Sequence, residues 1–98
     1  MPKIEFETKH EVDLQEPPQY KVLLLNDNYS TMEFVIEVLI KVFHKSLKDA
    51  EKIMLDVHNN GKGLCGIYSH EIAHMKVYQV KSLARASGFP LLATMEEI

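Results

Sequence analysis

Ninety-eight residues make one small domain and leave no room for a second. Apolar residues at 46% and charged residues at 26% describe an ordinary globular mixture, and a formal charge of −3 disfavours nucleic-acid and anionic-membrane surfaces, which need a cationic footprint. A single cysteine, Cys65, excludes an internal disulfide and a multi-cysteine zinc site.

The chain opens Met1-Pro2-Lys3-Ile4-Glu5, acidic where a secretory leader would be apolar, and no stretch approaches ~18 uninterrupted apolar residues. The expectation is a reduced, soluble, cytoplasmic domain. Residues 1–19 hold Lys3 and Lys9 against Glu5, Glu7, Glu11, Asp13 and Glu16, so this tail carries the whole imbalance. With few apolar residues and an end at Pro17-Pro18, it reads as a flexible acidic extension with a stiff hinge. The core domain is expected over residues 20–98.

Tyr20-Lys21-Val22-Leu23-Leu24-Leu25 is a short apolar run broken by Asn26-Asp27-Asn28, a strand and then a loop. Ser30-Thr31-Met32-Glu33 has capping-box spacing and predicts a helix through about Phe43. Ser46-Leu47-Lys48-Asp49 repeats the signal. The second helix carries Leu47, Ala50, Ile53, Met54 and Val57 on one side and stops before Gly61. Leu64 to Tyr68 is a second strand. Ser69 caps a third helix to about Ser87, with Gly88 and then Pro90 at its end. Leu91-Leu92-Ala93-Thr94 is a last, weaker strand. The order β-α-α-β-α-β predicts an α+β domain with three helices packed on one face of a small sheet.

The first helix has an unusually wide apolar surface. Between Met32 and Phe43 the only polar residues are Glu33, Glu37 and Lys41, one narrow stripe at i, i+4, i+8. Either the second helix covers the surplus or part of it lines a hydrophobic pocket. Asn26, Asp27 and Asn28 stand just before this helix, and His58 stands at the end of the second, beside Val57 and one turn after Met54. If the two ends converge, an apolar hole is rimmed by oxygen acceptors and an imidazole. Such a hole suits a ligand apolar at one end and cationic at the other, since an ammonium needs acceptors only. The plainer alternative is turn chemistry for Asn-Asp-Asn and a dipole-favoured His58 at a helix C-terminus.

His70-Glu71-Ile72-Ala73-His74 matches the zinc-hydrolase pattern H-E-x-x-H, with Glu96 available as a third ligand. The helical wheel argues against a metal centre. Ile72, Ala73, Val77, Val80, Leu83 and Ala84 form the core face, the two histidines fall at or beyond its edge, and Glu71 points away. A chain of this size hardly supplies the second wall of a cleft. Cys65 has no adjacent base and reads as a small core residue. Gly61-Lys62-Gly63 lacks nucleotide-loop spacing, and no nucleophile elbow is present. No metal, cofactor or catalytic residue is expected. A zinc hydrolase is the alternative function; a translation-associated binding module is disfavoured by the lack of a basic surface.

Several blocks together resemble the ClpS adaptor family. They are Tyr20 to Asp27, Met32-Glu33-Phe34-Val35, Met54 to His58, Gly61 to Tyr68, Lys76-Val77, and Pro90-Leu91-Leu92 with Thr94. The likeness runs from about Pro18 to Glu97. It implies an adaptor of the AAA+ protease ClpAP that binds proteins whose first residue is Leu, Phe, Tyr or Trp and passes them to the unfoldase. By resemblance, Asn26, Asn28 and His58 hold the substrate's α-amino group, with Asp27 beside them. Ser30, Met32, Val35, Met54, Val57 and Leu91 surround the first side chain, Met32 guarding the opening. Glu71 and Lys76 match contacts to the N-terminal domain of a ClpA-type unfoldase, and the tail matches an extension used in hand-over. A monomer is expected. The chain departs from the family at Asn28, usually aspartate, at Thr31, usually proline, and at Phe89, often histidine.

Overall fold

The apolar run after Pro18 becomes β1 (Gln19–Leu25) in the computed structural model, which describes residues 17–98. The expected flexible extension falls on residues that are, up to residue 16, outside those described. After β1 come α1 (Met32–Lys41), α2 (Leu47–Asn60), β2 (Lys62–Ser69), α3 (His70–Ser87) and β3 (Leu92–Glu97), the expected order. The three strands form one antiparallel sheet in the order β2-β1-β3.

The central place of β1 explains its composition. Val22 and Leu24 are fully buried beneath the helices, where they pair with Met95 and Ala93 of β3. Successive side chains alternate faces, so Lys21 lies on the other side opposite Glu96, 3.8 Å away. Both partners of that ion pair are about half exposed, and it contributes little to stability. The register with β2 slips between Val22 and Leu23, which face Gly66 and Leu64, so Cys65 is the extra residue of a bulge. Its thiol is buried in the core and pushed up to about 12 by desolvation, consistent with an inert packing role.

Helix punctuation follows the sequence with two corrections. Ser46 accepts from Asp49 N–H at 3.1 Å, Ser69 accepts from Ile72 N–H, and Gly61 (φ 89°) and Gly88 (φ 80°) close α2 and α3 in the left-handed region that glycine tolerates. For α1, however, the N-cap is Thr31 rather than Ser30: the Thr31 hydroxyl accepts from Phe34 N–H at 3.0 Å. The Ser30 hydroxyl is instead directed to Asp27, to which it donates. Thr31 therefore stands one residue outside the helix, not just inside it. The helix also ends at Lys41, short of Phe43, where the chain turns through His44 at φ 57°.

The core is one cluster formed by α1, the inner sides of α2 and α3, and the covered face of the sheet. Phe34, Val38 and Leu39 are the α1 contribution, and Phe89 packs on Phe34 with ring centroids 4.7 Å apart. Leu47 and Ile72 do not belong to the buried faces expected for them. Each lies near the first turn of its helix, and burial begins only with Ala50 and Ala73. Among the described residues no helix is long and apolar enough to cross a membrane.

Candidate functional site

The two ends singled out in the sequence meet. The β1–α1 loop, the first turn of α1 and the last turns of α2 enclose a cleft of about 260 Å³. From the loop come Asn26, Asp27, Asn28 and Ser30; from α1, Met32 and Val35; from α2, Met54, Val57 and His58. A backbone bond ties the walls together: Asn26 N–H donates to the carbonyl of Gly61 at 2.9 Å, so the end of β1 is pinned to the end of α2.

The loop's shape is set by Asp27. Its Oδ1 accepts from Tyr29 N–H at 2.8 Å and Ser30 N–H at 2.7 Å, and its Oδ2 accepts from the Ser30 hydroxyl at 2.7 Å. This is an aspartate turn, the arrangement that short acidic side chains favour because they can mimic a backbone acceptor. Burial raises the carboxyl, but the bonds from Ser30 and Tyr29 outweigh it and hold the group below its ordinary range. A carboxylate has about four lone-pair sites. Oδ1 is filled twice and Oδ2 once, so one acceptor site on Oδ2 remains.

The apolar wall is deep and its rim open. Val35, Met54 and Val57 are buried, whereas Met32 is 47% exposed at the mouth. The surplus apolar surface of α1 is thus shared: Phe34, Val38 and Leu39 go to the core, Met32 lines the cleft, and Val35 belongs to both. Leu91, expected in the pocket, is 1% exposed and belongs to the same core cluster as Val35, Met54 and Val57, but is not among the residues lining the cleft.

The remaining motif residues lie elsewhere. Glu71, His70 and His74 line a shallow depression on the outer side of α3, with the two imidazole rings 6.4 Å apart and nearly parallel. Glu96 does not join them, being engaged with Lys21 across the sheet. Among the described residues no group of three or more His, Cys, Asp or Glu could hold a metal ion. Lys76 points inward: its ammonium donates to the Val42 carbonyl at 2.6 Å and sits 5.8 Å from the Tyr68 ring centroid. It thereby caps the C-terminus of α1, where a cation complements the helix dipole. Sequence reasoning missed this tie and the structural work of Asp27; the Asp-x-x-Ser spacing was the available signal for the second.

A small α+β domain with an apolar cleft rimmed by fixed oxygen acceptors is a recognition module, and comparison with known proteins narrows the class. Residues 15–94 match the family model described as ATP-dependent Clp protease adaptor protein ClpS. A ClpS adapter of Wolinella succinogenes is 54% identical over 93 residues, covering 95% of this chain and 91% of its own. One from Campylobacter jejuni is 48% identical over 97 residues and 99% of each chain. Among solved structures, Agrobacterium tumefaciens ClpS2 bound to L-phenylalaninamide superposes with a TM-score of 0.82 at 36% identity, covering 85% of this chain and 100% of that one. The chain belongs to the ClpS family of Clp protease adaptors. The zinc-hydrolase alternative finds no support.

Proposed function

We propose that the cleft binds the first residue of proteins that begin with Leu, Phe, Tyr or Trp, and that the domain passes them to a ClpA-type AAA+ unfoldase for degradation by ClpAP. The observation that carries this reading is the joining, in one cleft, of an apolar wall to a rim of acceptors. A free α-ammonium brings three donors and a charge, and the rim offers it acceptors of the right kind: the amide oxygens of Asn26 and Asn28, the open site on Asp27 Oδ2, and a ring nitrogen of His58. An internal residue of a chain brings a single N–H and no charge, so it leaves those acceptors unpaired. The first side chain then fills the space between Met32, Val35, Met54 and Val57. The Agrobacterium relative's ligand, L-phenylalaninamide, has this pairing of a free amine with a bulky apolar side chain.

On this reading the protein acts by binding alone, as a cytoplasmic monomer with no metal, cofactor, nucleic acid or membrane. The exposed outer side of α3 around Glu71 is the surface offered to the unfoldase's N-terminal domain. Lys76 belongs to that surface by family resemblance, although its ammonium is engaged within the chain.

The deciding experiment compares a short peptide beginning with Phe against the same peptide N-acetylated. A hydrogen bond to a charged group contributes ~1.5–3 kcal/mol, so losing several weakens binding by about two orders of magnitude or more. Equal affinity for the two peptides would sink the amine-sensing mechanism.

A further inference from the structure

Gly63, on β2, faces α2, the helix that supplies three of the nine residues lining the cleft. A methyl group added there would stand 2.8 Å from Val57 Cγ2, 3.1 Å from the Ile53 carbonyl oxygen and 3.2 Å from Ile53 Cγ2. The first and last contacts are to side chains. The second is to backbone, and no rotamer change removes it. α2 can therefore lie this close to the sheet only because residue 63 has no side chain. Val57 also lines the cleft, together with Met54 and His58 of the same helix segment, so the residue that Gly63 touches is itself part of the cleft wall.

We propose that Gly63 is a positioning residue that sets the width of the side-chain pocket through its contact with α2; this rests on the N-terminal-residue reading above. Any side chain at this position pushes Val57 and the Ile53 backbone from β2 by a few tenths of an ångström and shifts the Met54 and Val57 wall relative to Val35. Dispersion falls steeply over such gaps. A small and a large first residue meet the displaced wall to different extents, so their affinities change unequally. The amine rim is affected alike for both substrates, because His58 moves by the same amount whichever side chain is bound.

The test measures the affinity of Phe- and Leu-initiated peptides, otherwise identical, for the wild-type chain and for Gly63→Ala. The ratio of affinities, Phe over Leu, is expected to change roughly three-fold or more. Gly66→Ala on the same strand is the control for general disturbance. Its methyl would meet the Tyr68 hydroxyl and ring, and Tyr68 does not line the cleft. That variant is expected to lose thermal stability and to keep the wild-type ratio. Should Gly63→Ala fail to fold, the double variant Gly63→Ala/Val57→Ala, which removes the 2.8 Å contact, is compared with Val57→Ala alone; the Ile53 carbonyl still demands a three-fold difference in ratio. An unchanged ratio, or the same change in Gly66→Ala, overturns the assignment. A wild-type chain that binds neither peptide overturns the functional reading instead, and this inference with it.

Discussion

Replacing Asp27 by alanine removes the acceptor of three hydrogen bonds at once, from Tyr29 N–H, Ser30 N–H and the Ser30 hydroxyl. Bonds to charged groups contribute ~1.5–3 kcal/mol each when they cannot be replaced, but the Tyr29 amide is exposed and water takes over part of the loss. A net cost of about 2 kcal/mol follows, which lowers Tm by roughly 8–16 °C in a domain of this size. Because the same loop presents Asn26 and Asn28, affinity for a Phe-initiated peptide falls about ten-fold or more in parallel. Differential scanning calorimetry and peptide titration read the two effects separately. The carboxyl is held below its ordinary value in the folded chain, so its ionised form favours folding. That contribution is fully present above the unfolded carboxylate value of ~3.9 and is lost as pH falls through the lower folded one. Asp27→Asn should therefore lose less stability than the wild type when both are acidified below about pH 4. An unshifted Tm for Asp27→Ala with intact peptide binding would refute the claim that this carboxylate shapes the site.

Three further outcomes are expected. His58→Ala removes an imidazole acceptor from the cleft rim and should weaken binding of a Phe-initiated peptide about ten-fold while leaving Tm within a few degrees of the wild type; unchanged affinity would leave His58 a structural role only. Lys76→Met removes the ammonium that caps α1 and should lower Tm by roughly 4–8 °C, the effect of about 1 kcal/mol, while leaving peptide affinity unchanged; an unaltered Tm would return Lys76 to a purely external role. Asn28→Asp adds a carboxylate at the rim and should tighten binding of Leu- or Phe-initiated peptides roughly three- to thirty-fold, with the gain shrinking as salt rises; weaker binding would mean that the Asn28 amide makes a contact a carboxylate cannot replace.

Much of this was readable from local patterns, and the exceptions have physical causes. Element order followed from runs such as Tyr20 to Leu25 and from capping signals at Ser46, Ser69, Gly61 and Gly88, all of which depend on residues close in sequence. The surplus apolar surface of α1 was visible as periodicity, and its division between core and cleft needed the third dimension. Ser30 and Thr31 are adjacent and both can cap; Thr31 does so, while the Ser30 hydroxyl is directed to Asp27. Leu91 was placed in the pocket by resemblance; it packs in the same core cluster as the cleft residues Val35, Met54 and Val57. Strand order, the bulge at Cys65 and the reach of Lys76 to Val42, 34 residues away, are long-range facts with no local signature.

The cleft's economy of charge follows from the same loop. Of its lining residues only Asp27 carries a carboxylate, and most of that carboxylate is spent on folding the loop. A fully solvated aspartate would offer an amine a stronger partner but would leave the loop without its organiser. A carboxylate bonded three times keeps its formal charge and loses its freedom to move. On the function proposed above, it acts on an incoming ammonium as a preset field with one open acceptor site, while the amides and the imidazole supply the remaining directional bonds. On that proposal the site discriminates by geometry more than by attraction. A diffusing cation without an apolar side chain gains little from one screened charge, and an apolar chain without an ammonium leaves the acceptors dry and unpaired. The ligand that the proposal calls for has both, and a chain's first residue is where those two groups share one carbon atom.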